Sequence, residues 1–358
     1  MTAVPHEPRT SMDAWRVTAI GEPAQVLARA RVPVPTPGPG QALVHVHAAG
    51  LNFPDVLMAR GHYQERPPLP FTPGLELCGT VVELGDTPGD RDGAGPEPLR
   101  VGQRVVGLTT LPHGSLASYA LAAVADLFPA PPGLDDATAS VLHISYQTGW
   151  FGLHRRARLR AGETLLVHAA AGGVGSAAVQ LGRAAGARVV AVVGGPAKAA
   201  VARELGADLV VDRTTEDVVA VVREATGGRG CDVVYDPVGG AAYTVSAKIV
   251  AFEGRIVVVG FAGGTIPAPP LNHALVKNYG ILGLHWGLYR QQDPAAIRAA
   301  HVEITGLVER GAVRPLLGGT LDVGDVPEGL TRLAAGTVTG RLAVTLPGGP
   351  DGPDDGTG

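Results

Sequence analysis

From about residue 160 the chain alternates short, continuous apolar runs with segments of helical periodicity, and few architectures accept that rhythm. TLLVHAA leads into VGSAAVQLGRAAGA, RVVAVV into AKAAVARELG, and DLVV into TEDVVAVVREATG. CDVVYD, AAYTVSAKIVAFEG, RIVVVG and YGILGL carry the pattern to six apolar strands. A strand that is apolar at every position is buried on both faces, as happens when a parallel sheet is covered by helices on either side. The rhythm therefore predicts a doubly wound α/β domain over residues 146–286.

Within it, the first strand runs straight into Ala170-x-Gly172-x-x-Gly175 and then a helix, which is the dinucleotide-binding fingerprint with Ala in its first place. Gly172 has no side chain to hold a diphosphate away from the backbone, and Gly175 lets helix and strand pack closely. The helix start offers free N–H groups to the phosphates. Ala171, Gly172, Gly173 and Val174 are thus candidate cofactor contacts. About 20 residues beyond such glycines an NAD site carries a carboxylate for the ribose 2′-hydroxyl. Gly194 stands there, with Lys198 and Arg213 following. Two cations and no acid suit a 2′-phosphate, at roughly 1.5 to 3 kcal/mol per charge-assisted hydrogen bond before solvent screening. The expected cofactor is NADPH.

The first half reads differently: ALVHVHAAG, TVVELG and QRVVGL are strand-length runs between Gly and Pro clusters, with no helical period before about residue 135. Residues 86–100 have loop composition. DPAAIRAAHVEITGLVERG and RLAVTLP read as a helix and a strand returning to the first domain. The expected division is 12–145 with 287–347 as one domain, 146–286 as the other, and flexible termini at 1–11 and 348–358. With 358 residues, two domains is also the prior from length.

Composition limits the function classes. A net charge of −4 without a run of like charges argues against a nucleic-acid partner. Cys78 and Cys231, far apart, exclude a disulfide framework or a cysteine-based zinc lobe. No signal-like start or membrane-spanning stretch is evident, so the expectation is a cytoplasmic protein.

AAGLNFPDVLMARGHY, LPFTPGLELCGTVVELG, VGQRVVGL, QTGWFGL, the AAAGGVG turn and VVYDPVGG together resemble the zinc-independent, zeta-crystallin-like quinone oxidoreductases of the medium-chain dehydrogenase/reductase superfamily, over residues 12–347. The resemblance implies a GroES-like β-rich catalytic domain, a Rossmann cofactor domain and an active site in the cleft between them. It places Asn52 near the nicotinamide ribose and substrate, Tyr63 in the substrate cleft, Thr148 in a turn near the ribose or phosphate, and Phe261 beside the nicotinamide. Asn52 and Tyr63 are the catalytic candidates. Leu57 replaces a second tyrosine frequent in the family. It also implies a homodimer.

Where zinc alcohol dehydrogenases carry a Cys-His pair and then Gly-His-Glu, this chain has Asn52-Phe53-Pro54-Asp55 and Gly74-Leu75-Glu76. Glu76 alone cannot hold catalytic zinc, so no metal is expected; Glu76 and Asp55 read as members of a polar network. Without a Lewis acid a conjugated acceptor is the easier substrate, because the charge pushed onto a distant oxygen needs only a hydrogen bond. The expected reaction is NADPH-dependent reduction of a quinone or enone. The alternatives are an enoyl-CoA or enoyl-thioester reductase, with Arg60, Arg66 and Arg290 as candidate CoA cations, and a non-catalytic NADPH sensor. His45, His47, His143 and His168 show no metal-ligand spacing and read as structural, His285 and Trp286 as cleft or dimer residues, and Cys78 as core.

Overall fold

The computed structural model describes residues 10–86 and 99–347. The expected flexible ends at 1–9 and 348–358, and residues 87–98 of the expected loop, lie outside the described residues. Ser11, expected in the flexible start, opens the first strand instead, and Met12 is buried.

Among the described residues seven strands precede the alternating region: β1 (Ser11–Val17), β2 (Leu27–Pro33), β3 (Gln41–Gly50), β4 (Glu76–Leu84), β5 (Arg104–Leu108), β6 (Tyr119–Ala123) and β7 (Leu127–Pro129). Six follow within it: β8 (Thr164–His168), β9 (Arg188–Val193), β10 (Leu209–Asp212), β11 (Cys231–Asp236), β12 (Val250–Val258) and β13 (Gly280–Gly283). Two close the chain, β14 (Leu317–Asp322) and β15 (Arg341–Thr345). They fall into two compact units, one running to His143 and resuming at Leu317, the other Ile144–Leu316.

In the first unit β1 and β2 form an antiparallel pair, and the main sheet runs β14-β15-β3-β4-β5-β7 with β6 on β3. Its core gathers Val44, Val46, Leu77, Leu116 and Leu342. Trp15 locks onto the returning segment by donating from Nε1 to Val323 O at 2.6 Å. His47 bridges Asp136 (Nδ1, 3.0 Å) and Thr80 (Nε2, 3.2 Å), the structural role expected of it. The helix Phe53–Ala59 was not legible as a period, being under two turns long.

The second unit holds one parallel sheet in the order β10-β9-β8-β11-β12-β13. All six expected strands are present. The order reverses between β8 and β11, so the crevice at the carboxyl ends of these two strands is where such sheets bind ligands. β12 begins at Val250, so the strand takes in the end of the AAYTVSAKIVAFEG segment as well as RIVV.

The boundary at 287 is corrected by this division. The helix Pro294–Glu309 belongs to the second unit because its buried face of Ile297, Ala300, His301 and Ile304 packs there. Gln147 Nε2 donates to Ile297 O at 3.0 Å, while Gln180 donates to Arg314 O and accepts from Arg314 N at 3.0 and 2.8 Å. The return to the first unit comes at β14.

Candidate functional site

The glycine turn lies at the carboxyl end of β8. Ala170 N donates to Val192 O of the neighbouring strand, Gly172 N to Ala169 O, and the helix Gly173–Ala184 opens with Ser176 N on Gly172 O. The N–H groups of Gly173, Val174 and Gly175 therefore precede the first intrahelical bond and remain for a ligand. A Cβ on Gly175 would collide with the Ala169 carbonyl, whereas one on Gly172 would meet only Ala169 O at 3.2 Å. The two glycines thus differ in the room they leave for a side chain. Gly172, Gly173 and Val174 are part-exposed and Ala171 is buried beneath them. This cradle, open at Gly172 and closed at Gly175, fits a diphosphate.

At the tips of β9 and β10, Arg213 N donates to Val193 O at 3.0 Å. The guanidinium of Arg213 lies over Gly194, where a Cβ would stand 3.1 Å from Nη2 and 3.5 Å from Nε. Gly195, at φ +94°, gives its N–H to Asp212 Oδ1 at 2.8 Å and caps the helix Pro196–Glu204. Lys198, half-buried, stands in the first turn of that helix. The structure thus brings Gly194 and Arg213 together at the ends of β9 and β10.

At the switch point His168 ends β8 and is buried. Ser246 Oγ donates to Ala242 O at 2.8 Å, so the 3.0 Å contact from His168 Nε2 must be a donation from the ring. Burial pushes this imidazole down to about 4, and it is neutral at pH 7. Asp236 ends β11, its Oδ1 accepting from Val238 N and Gly239 N at 2.9 Å while Oδ2 is buried without a partner. The 237–240 turn supports the loop that carries Phe261: Ala262 N donates to Pro237 O and Gly263 N to Val238 O, and a Cβ on Gly239 would come within 2.9 Å of the Phe261 ring. An acid closing an apolar strand, as Asp236 does in CDVVYD, is the sequence signal for this position.

Thr148 is in the helix His143–Trp150, not in a turn, and its Oγ1 donates to Ile144 O at 2.6 Å. That back-bond to the preceding turn replaces the turn reading.

In the first unit Asn52 precedes the helix Phe53–Ala59 and Asp55 fixes it there, accepting from Asn52 N at 2.8 Å and Gly74 N at 3.2 Å. The Asn52 amide nitrogen donates to Gly50 O and to Glu76 Oε2 at 3.0 and 3.2 Å, leaving its Oδ1 as the acceptor. Glu76, fully buried, accepts from Arg341 Nη2 at 2.9 Å. Burial pushes Asp55 up to about 7 against the pull of its two N–H bonds. Tyr63 packs on the cluster of Val17, Met58 and Phe71.

Residues 38–132 match the alcohol dehydrogenase GroES-like domain, and residues 173–301 match the zinc-binding dehydrogenase family. The chain is 35% identical to the rat (Rattus norvegicus) quinone oxidoreductase-like protein 2 over 304 residues, 85% of this chain and 84% of that one. It belongs to the quinone oxidoreductase-type branch of the medium-chain dehydrogenase/reductase superfamily. Two solved structures agree, each 29% identical over 94% of this chain and 100% of the other with a TM-score of 0.84: a mycobacterial protein complexed with NADPH and a Pseudomonas syringae quinone oxidoreductase.

As a quinone oxidoreductase-type member, the chain is an oxidoreductase with a GroES-like domain and a Rossmann-like parallel sheet, and it takes a nicotinamide cofactor. Zinc, named in one matching family, does not fit the donors around Asn52. Glu76 is held by Arg341 and Asn52, and among the described residues no three His, Cys, Asp or Glu side chains are grouped as a metal site requires. Arg60, a candidate CoA cation, is instead paired with Glu22 at 2.8 Å. Cys78 is buried and its thiol is pushed up by that burial, which suits core and not a nucleophile. Among the described residues no helix is long and apolar enough to cross a membrane.

Proposed function

We propose that this chain reduces quinones or related α,β-unsaturated carbonyls with NADPH, by hydride transfer and without a metal. The observation that carries the reading is the commitment of Glu76 to Arg341 and Asn52. With Glu76 so engaged and Asn52 and Leu75 where zinc alcohol dehydrogenases carry Cys or His, the site suits an acceptor whose reduction needs no Lewis acid. A conjugated carbonyl meets that condition.

The Arg213 guanidinium over Gly194 supports NADPH over NADH, with Lys198 as the second cation. Ala171, Gly172, Gly173 and Val174 would hold the diphosphate, and Phe261 and Thr148 would lie on the nicotinamide side. When bound, the nicotinamide supplies the hydride. Asn52 Oδ1, with its amide nitrogen already spent, accepts a hydrogen bond from the ribose or the carboxamide and so orients the ring. Tyr63 orients the acceptor or donates the proton.

A small-molecule acceptor, a cytoplasmic setting and a homodimer complete the proposal. Two buried, unbridged cysteines suit a reducing compartment. β13 is a sheet edge, and beside it Leu271, Leu275 and Val276 are exposed on one short helix, which suits a second copy pairing there.

The test is oxidation of NADPH and NADH with 9,10-phenanthrenequinone, 1,4-benzoquinone and crotonyl-CoA in parallel. Quinone turnover with NADPH supports the proposal. Turnover of crotonyl-CoA alone replaces it with the enoyl-thioester reading, and tight NADPH binding without oxidation by any acceptor replaces it with a sensor.

A further inference from the structure

We infer that Asp212 is a positioning residue for Arg213, and that this pair, through the turn at Gly194, sets the preference for a 2′-phosphorylated cofactor. The inference rests on the NADPH reading above and names the part of the chain that enforces it.

Asp212 is the last residue of β10 and pairs with Val193, the last residue of β9. The two loops that leave these strands are stitched together from both directions. Arg213 N donates to Val193 O, and Asp212 Oδ1 accepts from Gly195 N at 2.8 Å. The same oxygen takes Thr214 N at 3.0 Å and Thr214 Oγ1 at 2.7 Å, while Asp212 N donates to Glu216 Oε2 at 2.7 Å. Arg213 therefore lies between two residues whose backbones are fixed. A long cation that would otherwise spend rotamer freedom on finding its ligand begins from an anchored backbone. Its guanidinium rests over Gly194 at distances only a residue without a side chain allows without displacement.

Every side-chain bond that Asp212 makes here is accepted by Oδ1, which an asparagine reproduces. Its task is geometric, since a carboxylate's charge beside an incoming phosphate would oppose binding. The hydroxyl, the N–H groups and nearby Arg213 keep Asp212 ionised well below the usual carboxylate range, so the clasp persists across working pH.

The experiment compares 2′,5′-ADP with 5′-AMP by calorimetric titration on the full chain. The variants are Arg213→Ala, Asp212→Ala, Asp212→Asn and the Ala/Ala double, each with a thermal melt. Arg213→Ala is expected to weaken 2′,5′-ADP about tenfold and 5′-AMP less than twofold. Asp212→Ala should weaken 2′,5′-ADP about fivefold with the same selectivity, and Asp212→Asn should restore wild-type binding within twofold. In the Arg213→Ala background the Asp212→Ala change should cost less than twofold more, because residues acting through one another are not additive.

Equal losses for both ligands on Asp212→Ala, or no loss for 2′,5′-ADP, would overturn the positioning role while leaving the NADPH reading intact. A wild-type chain that holds 5′-AMP as tightly as 2′,5′-ADP overturns that reading itself, before any variant is examined.

Discussion

Glu76 Oε2 and Arg341 Nη2 meet at 2.9 Å across 265 positions of sequence, with both side chains buried. The pair ties β15, which arrives at the end of the chain, to the strand that begins with Glu76, and the same carboxylate oxygen holds Asn52. Removing one partner of such a pair leaves an uncompensated buried charge, at a cost of about 3 to 5 kcal/mol. Arg341→Ala and Glu76→Gln are therefore both expected to lower the melting temperature, the first by stranding the Glu76 carboxylate and the second by stranding the Arg341 guanidinium, which cannot shed its charge. A melting temperature unchanged from wild type in either variant would contradict the buried-charge account.

Stability against pH should carry the signature of Asp55. Its carboxyl is pushed up to about 7 from an unfolded value near 4, so the native state holds the extra proton in between. Stability from this group is full below about pH 4 and declines as pH rises through 7, by up to about 4 kcal/mol. His168 acts in the opposite sense: lowered to about 4, it makes stability rise between about pH 4 and 6.5. The two nearly offset one another in wild type below pH 6.5. Urea titrations from pH 5 to 8 should show Asp55→Asn gaining on wild type as pH rises, and His168→Gln losing its advantage at pH 5 by pH 7. Parallel profiles for wild type and Asp55→Asn would mean that Asp55 is ionised throughout.

The second unit was more legible than the first for a physical reason. Strands such as TLLVH and CDVVYD are buried on both faces, so composition alone reveals them, and Gly172 and Gly175 mark the turn between strand and helix. The short helix after Asn52 depends on Asp55 reaching back to one N–H, which no periodicity records. The resemblance placed Thr148 in a turn, yet its hydroxyl bonds within the helix. The Pro294–Glu309 helix is amphipathic enough to suit either unit, and the partners of Gln147 and Gln180 decide where it goes. The roles of Asp212 and Asp236 lie in bonds to loop backbones that sequence spacing does not encode.

The two motif glycines should fail differently. An added methyl at Gly175 meets the Ala169 backbone, which cannot give way without moving the helix from the strand. Gly175→Ala is expected to lose both thermal stability and nucleotide affinity. At Gly172 only Ala169 O is near, at 3.2 Å, so Gly172→Ala should melt within a few degrees of wild type. Its methyl would nonetheless occupy the open side of the cradle and weaken NADPH at least tenfold. A Gly172→Ala chain with unchanged NADPH affinity would place the diphosphate elsewhere.

Gly194→Asp should reverse the cofactor preference. Gly194 is not among the residues with positive φ, so its backbone accepts a side chain. A Cβ there stands 3.1 Å from Arg213 Nη2, which brings an aspartate carboxylate into ion-pair range of the guanidinium. The new acid would occupy the cation and repel a 2′-phosphate while offering acceptors to the 2′-hydroxyl of NADH. Loss of one charge-assisted bond, at about 1.5 to 3 kcal/mol, raises the KM for NADPH by about 10- to 150-fold. The KM for NADH should fall, and kcat at saturation should change little, because the site lies at the adenosine end and not at the reacting carbon. Gly194→Ala separates charge from bulk: it displaces Arg213 by a few tenths of an ångström, so it should weaken NADPH modestly without improving NADH. If Gly194→Asp and Gly194→Ala have the same effect on both cofactors, the discrimination is steric and the ion pair plays no part.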